Sequence, residues 1–387
     1  MKQHYTAREM LERLVSFPTE PDQSNLDLVH FVKDYLSGHG VNSGLDFNED
    51  GTKASLYATI GPDSEGGVVL SGHSDVVSVA GQDWQSDPWT LTERSGRLHG
   101  RGACDMKGFD AVVLAAVPEM VKARLKRPIQ IALSRDEEIG CVGAPPMIRR
   151  MLDDLPRASI VIVGEPTMMK VVTGHKGGSG LSVHVRGHEV HSSILHTGVS
   201  AILNAAKLID WVNNRNEENA SGQPTPGAAV FDPPWTSLHV GTIKGGTAQN
   251  ITARDCRFGL EYRCVPGDSP KSWGERFRKF ARSVETEMKS VNGDAAIFIE
   301  PWYEVPPLAQ EDSSEAEALA RQLTGDNGNH VVSYGTEAGQ FQEEGYSVVV
   351  CGPGNIAQAH QPNEYIAVEQ LQAGEDFIRR LIQTMTE

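Results

Sequence analysis

A mostly parallel α/β sheet carrying an inserted α+β domain is the fold class this sequence predicts, and three observations predict it. Apolar strands alternate with helical stretches through the first half of the chain. The middle switches to strands of strict period two, and the last part returns to the first pattern. A length of 387 residues also exceeds what one core usually organises, so two domains are expected. We place the larger at residues 1–176 and 306–387 and the insert at 177–305.

The chain opens with helical spacing. Met10, Leu11, Leu14 and Val15 recur within residues 6–16, and Leu26, Leu28, Val29, Phe31, Val32 and Leu36 within 25–38. Asn25 reads as an N-cap and Gly38 as a stop. Strands are predicted at 57–60 and 67–70, a helix rich in Ala and Val at 109–124, and a strand at 129–133. A helix at 144–152 and a strand at 159–163 follow.

Beyond His175 the pattern changes, and residues 181–186 alternate as a strand with one wet face does. A helix at 201–213 gives way to a loop at 214–234 rich in Asn, Gly and Pro. Strands at 237–244 and 256–264, a charged helix at 272–290 and a strand at 295–300 complete a β-α-β-β-α-β order, which suits a small ferredoxin-like domain. Lys176-Gly177-Gly178-Ser179-Gly180 lacks the spacing of a phosphate loop and precedes a strand. It reads as a flexible hinge that lets the insert close as a lid. A buried strand at 347–352 and a helix at 368–386 end the chain.

Composition excludes several classes of function. Apolar residues at 39% and charged residues at 22% are ordinary for a soluble globular chain. A net charge of −16 argues against nucleic acid as partner, because phosphate binding needs clustered Lys and Arg. Cys104, Cys141, Cys256, Cys264 and Cys351 form no C-x-x-C pair, which fits a reducing cytoplasm and no thiolate zinc site. No run approaches the roughly 20 apolar residues of a membrane span. Met1-Lys2-Gln3-His4-Tyr5 leads into charge, not into the apolar core of a signal peptide.

The chemistry-bearing side chains cluster at predicted strand ends: His73, Asp75, Asp105, Glu137, Glu138, Glu165 and His360. Imidazole and carboxylate without thiolate suit Zn²⁺, Mn²⁺ or Co²⁺ in a catalytic site with open positions. His73 offers one ring nitrogen to a metal, and Asp75 would take the other N–H and fix the tautomer. Adjacent Glu137 and Glu138 leave the backbone in different directions, so one can bind metal while the other faces a reacting water. Pro166 holds Glu165 extended. Singly, each has an ordinary explanation: Asp105 could cap the helix that follows, the Glu pair could be a solvated turn, and His360 could be a loop residue. Their joint occurrence at four strand-end turns points to a hydrolytic metal centre.

These segments also carry a resemblance. Ser71-Gly72-His73-Ser74-Asp75-Val76-Val77, Gly100-Arg101-Gly102-Ala103-Cys104-Asp105-Met106-Lys107-Gly108, Asp136-Glu137-Glu138-Ile139-Gly140 and Gly164-Glu165-Pro166-Thr167 resemble the successive motifs of the M20 metallopeptidase and deacylase family. Thr336-Glu337-Ala338-Gly339 and the stretch from Gly352 to Tyr365 resemble its acetylornithine deacetylase branch.

The resemblance implies a site of two divalent cations, Zn²⁺ or Co²⁺. One would be held by His73, Asp105 and Glu165, the other by Asp105, Glu138 and His360. Glu137 would be the general base and Asp75 the partner of His73. His191, in the context His191-Ser192-Ser193, would stabilise the oxyanion, and Asn250, Arg263 and Glu337 would contact substrate. The activity implied is removal of an acyl group from an N-acyl amino acid, N2-acetyl-L-ornithine first. Other activities of the family are the alternatives: succinyl-diaminopimelate desuccinylase, a dipeptidase or another acylase. A non-catalytic binding protein of the same fold is the alternative from a different class. Family members pair through the insert, so a homodimer is implied as well.

Overall fold

The structure is a computed structural model and describes residues 4–386. Met1–Gln3, where the reading of the chain start partly falls, lie outside the described residues. The chain forms two compact units: Met1–Gly174 with Gln310–His330 and Thr336–Glu387, and His175–Ala309 with Val331–Gly335. The short return Val331–Gly335, which the expected boundaries left with the larger domain, packs within the second unit.

The first unit is built on an eight-stranded sheet. Its order is Ser43–Phe47, Ala54–Ile60, Ile129–Ser134, Val68–His73, Ile160–Pro166, Ser347–Gly352, Val172–His175 and His330–Val332, the last two of which end in residues that group with the second unit. The four strands from Ile129–Ser134 to Ser347–Gly352 run parallel, and the first two join them through antiparallel pairings. Val68–His73, Ile129–Ser134 and Ile160–Pro166 are buried at every residue. Successive side chains of a strand point to opposite faces, so continuous burial means that both faces are covered.

Two local expectations fail here for visible reasons. The helix expected at 109–124 is two, Lys107–Ala115 and Val117–Lys122, because Pro118 has no N–H to donate and its ring collides with the preceding turn. Asn25 stands at the N-cap of Leu26–Gly38 without capping it. Its side chain instead bonds the N–H and C=O of Ala54 at 2.9 and 2.8 Å and the Ser74 hydroxyl at 2.8 Å. A long-range tie has displaced the local one.

In the second unit the order is strand Gly177–Arg186, helix Ala201–Ser221, strands Ser237–Gly245 and Asp255–Cys264, helix Pro270–Val291 and strand Ala296–Val305. The fully antiparallel sheet places Asp255–Cys264 and Ala296–Val305 on either side of Gly177–Arg186. Leu181, Val183, Val185, Phe258 and Leu260 pack with Leu208, Phe277 and Val284 from the two helices.

The expected hinge is not one. Gly178 and Gly180 are buried inside a strand paired on both edges, and Gly177 opens that strand, buried and paired with Cys264. An added Cβ at Gly180 would lie 2.1 Å from the Trp302 ring, and one at Gly178 would lie 3.1 Å from Tyr303, so aromatic rings fill the space the glycines leave. The first helix runs to Ser221, past the expected stop at 213, because Asn216 and Asn219 bond the main chain of Leu238 and Thr236. The last strand continues through Pro301 to Val305 by way of a register shift between Pro301 and Tyr303, which accommodates a residue without an N–H. Among the described residues no helix is long and apolar enough to cross a membrane.

Candidate metal centre

The four parallel strands end on one edge of the first unit, and each leads to a donor there. His73 closes Val68–His73, and Glu165 is next to last in Ile160–Pro166. Glu137 and Glu138 follow Ile129–Ser134, and His360 lies beyond Ser347–Gly352, just past the 3₁₀ turn Ile356–Gln358. Asp105 arrives from the loop before Lys107–Ala115. Open parallel sheets bind their ligands at this edge.

Asp105 stands between two imidazoles. Its Oδ1 is 3.1 Å from His73 Nε2 and its Oδ2 is 3.2 Å from His360 Nε2. Glu138 Oε2 is 3.0 Å from the same nitrogen of His360, and Glu165 Oε1 is 3.7 Å from His73 Nε2. Donor atoms of His73, Glu137 and Glu165 lie within 4.8 Å of one another, as do those of His73, Asp105 and Glu138. His73, Asp105 and Glu165 are buried, whereas the His360 side chain is 49% exposed.

Asp75 meets the inner nitrogen of His73 through its main chain. His73 Nδ1 is 2.9 Å from the main-chain oxygen of Asp75 and 3.7 Å from its carboxylate. That carboxylate instead accepts the N–H of Glu137 at 3.1 Å and of Glu138 at 3.0 Å. It therefore holds the turn that presents the glutamate pair, while its own carbonyl orients the imidazole. The turn passes through Asp136 at φ 56°, and the Asp136 carboxylate is paired with Lys53 and Arg135. The Cys141 thiol donates to Glu137 Oε1 at 3.0 Å, a contact for which the sequence held no signal beyond proximity.

Glu337, expected to touch substrate, is 1% exposed. Its carboxylate accepts the hydroxyls of Ser71 and Ser134, both at 2.6 Å, and so ties two neighbouring strands together beneath the donors. His191, Asn250 and Arg263 belong to the second unit. His191 is exposed, with Nδ1 2.7 Å from the Ser193 hydroxyl. Asn250 is exposed and accepts the Ser192 N–H through its carbonyl at 2.9 Å. Arg263, half-exposed, pairs with Glu261.

The electrostatics test whether these donors fit a cation. Burial raises Glu137 to about 8, with the charge of Glu138 adding to it against the pull of His73. Burial and then Asp105 raise Glu138, and burial, Asp105 and Glu137 hold Glu165 well above the carboxylate range. Burial alone would depress His73, but Asp105, Glu137, Glu165 and Asp75 outweigh it and hold the imidazole well above its usual range. Glu138 Oε1 is buried without a hydrogen-bond partner. Carboxylates forced together out of water, with imidazole nitrogens on the same side, are the donor chemistry of a divalent N/O site. The residues fit.

Imidazole and carboxylate donors at the ligand-binding edge of a mostly parallel sheet make a candidate divalent-metal site, and the family match assigns the chain to the metal-dependent hydrolases. The chain belongs to peptidase family M20/M25/M40, which matches it over residues 69–384. It is 34% identical over 383 residues to the acetylornithine deacetylase of Myxococcus xanthus, covering 97% of this chain and 96% of that one. It is 31% identical over 392 residues to the acetylornithine deacetylase of Pasteurella multocida (strain Pm70), covering 99% and 98%. An M20 family metallo-carboxypeptidase from Sulfolobus solfataricus shares the fold with a TM-score of 0.80 at 17% identity, over 99% of both chains.

Proposed function

We propose that this metallohydrolase is a two-cation amidohydrolase that removes the acyl group from the α-nitrogen of an N-acyl amino acid. N2-acetyl-L-ornithine and water would give L-ornithine and acetate, a step of arginine biosynthesis in the cytoplasm. The observation that carries the reading is Asp105, whose two oxygens face two different imidazoles. The names of the two full-length relatives supply the substrate.

In this reading His73, Asp105 and Glu165 hold one cation and Asp105, Glu138 and His360 the other, Zn²⁺ first and Co²⁺ second. Cations so held polarise an amide carbonyl and acidify water at neutral pH. Glu137 takes the proton of the attacking water and gives it to the departing amine nitrogen, while Asp75 and Cys141 keep the Glu137 turn and carboxylate in place. The amine leaves as the C–N bond breaks, and the carboxylate product keeps the oxygen of water. His191 donates to the carbonyl oxygen as it gains charge, a contribution of about 3–4 kcal/mol for one well-placed donor. Asn250 and Arg263 bind the α-carboxylate, for which a guanidinium fork is suited. The inserted unit serves as lid and dimer contact.

The test is a screen of N-acetyl, N-succinyl and dipeptide substrates with purified protein loaded with Zn²⁺ or Co²⁺. N2-acetyl-L-ornithine is expected to give the highest kcat/KM. A higher value for a succinylated substrate or a dipeptide would move the chain to another activity of its family. No turnover of any amide would leave a binding protein.

A further inference from the structure

Glu364 and Arg101 take part in no step above, yet they are among the most enclosed charges of the first unit, at 1% and 0% exposed. Four donors converge on the Glu364 carboxylate. Oε1 accepts the N–H of Cys104 at 2.8 Å and of Asp105 itself at 3.0 Å, and Oε2 accepts the N–H of Gly102 at 3.1 Å and Arg101 Nη1 at 2.7 Å. In return the Glu364 carbonyl accepts the Gly100 N–H at 3.0 Å. Arg101 Nη2 donates to Gln82 Oε1, and Gln82 Nε2 donates to the main-chain oxygen of His360 at 2.9 Å. Arg101 Nη1 also reaches the Gln361 carbonyl at 3.4 Å.

The network takes over where a short ladder ends: Arg97–His99 pairs with Tyr365–Ala367, and none of the described ladders reaches on to Asp105 or His360. Asp105 lies in the loop between the strand Arg97–His99 and the helix Lys107–Ala115, and His360 stands on an exposed loop with φ 62°. A buried ion pair gives little net stability compared with an apolar filling, so energy alone does not account for one here. Position does: the carboxylate grips the main chain of Asp105, and the guanidinium and Gln82 carry that grip to His360. His73 has a separate support in the Asp75 carbonyl.

We propose that Glu364, acting through Arg101 and Gln82, is a positioning residue that sets the spacing of Asp105 and His360. It thereby governs the cation site they form with Glu138 more than the site at His73 and Glu165. This rests on the two-cation reading above.

The test is titration of metal-free protein with Co²⁺, followed by calorimetry and visible absorption. Wild type is expected to bind two Co²⁺. Glu364→Gln, which offers an amide where a carboxylate accepted main-chain N–H groups, should weaken one of them by about 10–100-fold, the range for residues that orient metal ligands. Gln82→Leu, at a half-buried position whose loss does not threaten the core, should weaken the same site by about tenfold and decides the matter should Glu364→Gln not fold. In a His360→Ala background, where that site is already gone, Glu364→Gln should leave the remaining Co²⁺ affinity within about threefold. Two wild-type affinities in both variants, or equal losses at both sites, would overturn the proposal. Fewer than two Co²⁺ bound by wild type would instead overturn the two-cation reading.

Discussion

Asp105 is the side chain on which both imidazoles converge, and it is also the carboxylate whose charge the site keeps. Burial pushes its pKa up, but the bonds to His360 and His73 outweigh burial and hold it below the carboxylate range. The outer nitrogen of His73 lies 3.1 Å from Asp105 and 3.7 Å from Glu165. Metal analysis of two variants should show the asymmetry. On the two-cation reading proposed above, Asp105→Ala is expected to lose both cations, whereas His73→Ala should lose one and keep the one that Glu138 and His360 would hold. Equal metal content in the two variants would remove Asp105 from the bridging role. The single-residue chemistry was largely legible in the sequence, because donor types at strand ends mean the same thing before and after folding. What it could not show is which atom of a residue acts. Sequence pairs Asp75 with His73, and in the fold its carbonyl does this while its carboxylate holds the glutamate turn. Resemblance points Glu337 at substrate, yet in the fold its carboxylate accepts two serine hydroxyls, from Ser71 and Ser134.

Elements set how closely the donors approach. Gly352 ends the strand beside Ile160–Pro166, where the register shifts. A Cβ built there would lie 1.9 Å from the Gly164 carbonyl oxygen and 2.6 Å from that of Glu165. These are backbone atoms of the strand that carries Glu165, so no side chain can swing aside. Gly352→Ala should therefore cost about 3 kcal/mol, at the upper end for overpacking, read as a fall in the urea midpoint. Gly38→Ala, with nothing within 4 Å, should change stability by less than about 1 kcal/mol. Periodicity revealed the strands and helices because burial repeats locally along the chain. The misread elements are those decided from afar. The Gly177–Gly180 run looks flexible until Trp302 and Tyr303, more than a hundred residues on, cover it. The helix to Ser221 is extended by Asn side chains that meet a strand not yet made when the helix is read. Pro118 is the exception, a local signal that was present and outweighed by the Ala and Val around it.

At the scale of the whole molecule the site is a liability until cations fill it, and the liability depends on pH. Glu137 rises from 4.5 to about 8 on folding, so the metal-free chain loses stability as pH climbs from 4.5 toward 8, where the unfolded chain ionises and the folded one resists. His360 rises from 6.5 to about 10 through its bonds to Asp105 and Glu138, so its contribution is complete below pH 6.5 and fades as pH rises through 10. Both groups weaken the metal-free protein in the same direction. Asp105 works the other way, since its lowered pKa contributes above 3.8 and is lost only in acid. On the ligand set proposed above, cations would displace the protons of Glu138, Glu165 and the two imidazoles, and so would bind more tightly as those protons leave. One cation at a thousandfold excess over its Kd adds about 4 kcal/mol. Thermal unfolding with and without chelator should then show a Tm gap that is small near pH 5 and widens toward pH 8. A gap that narrows with rising pH would mean that the buried carboxylates are stabilised by something other than bound metal.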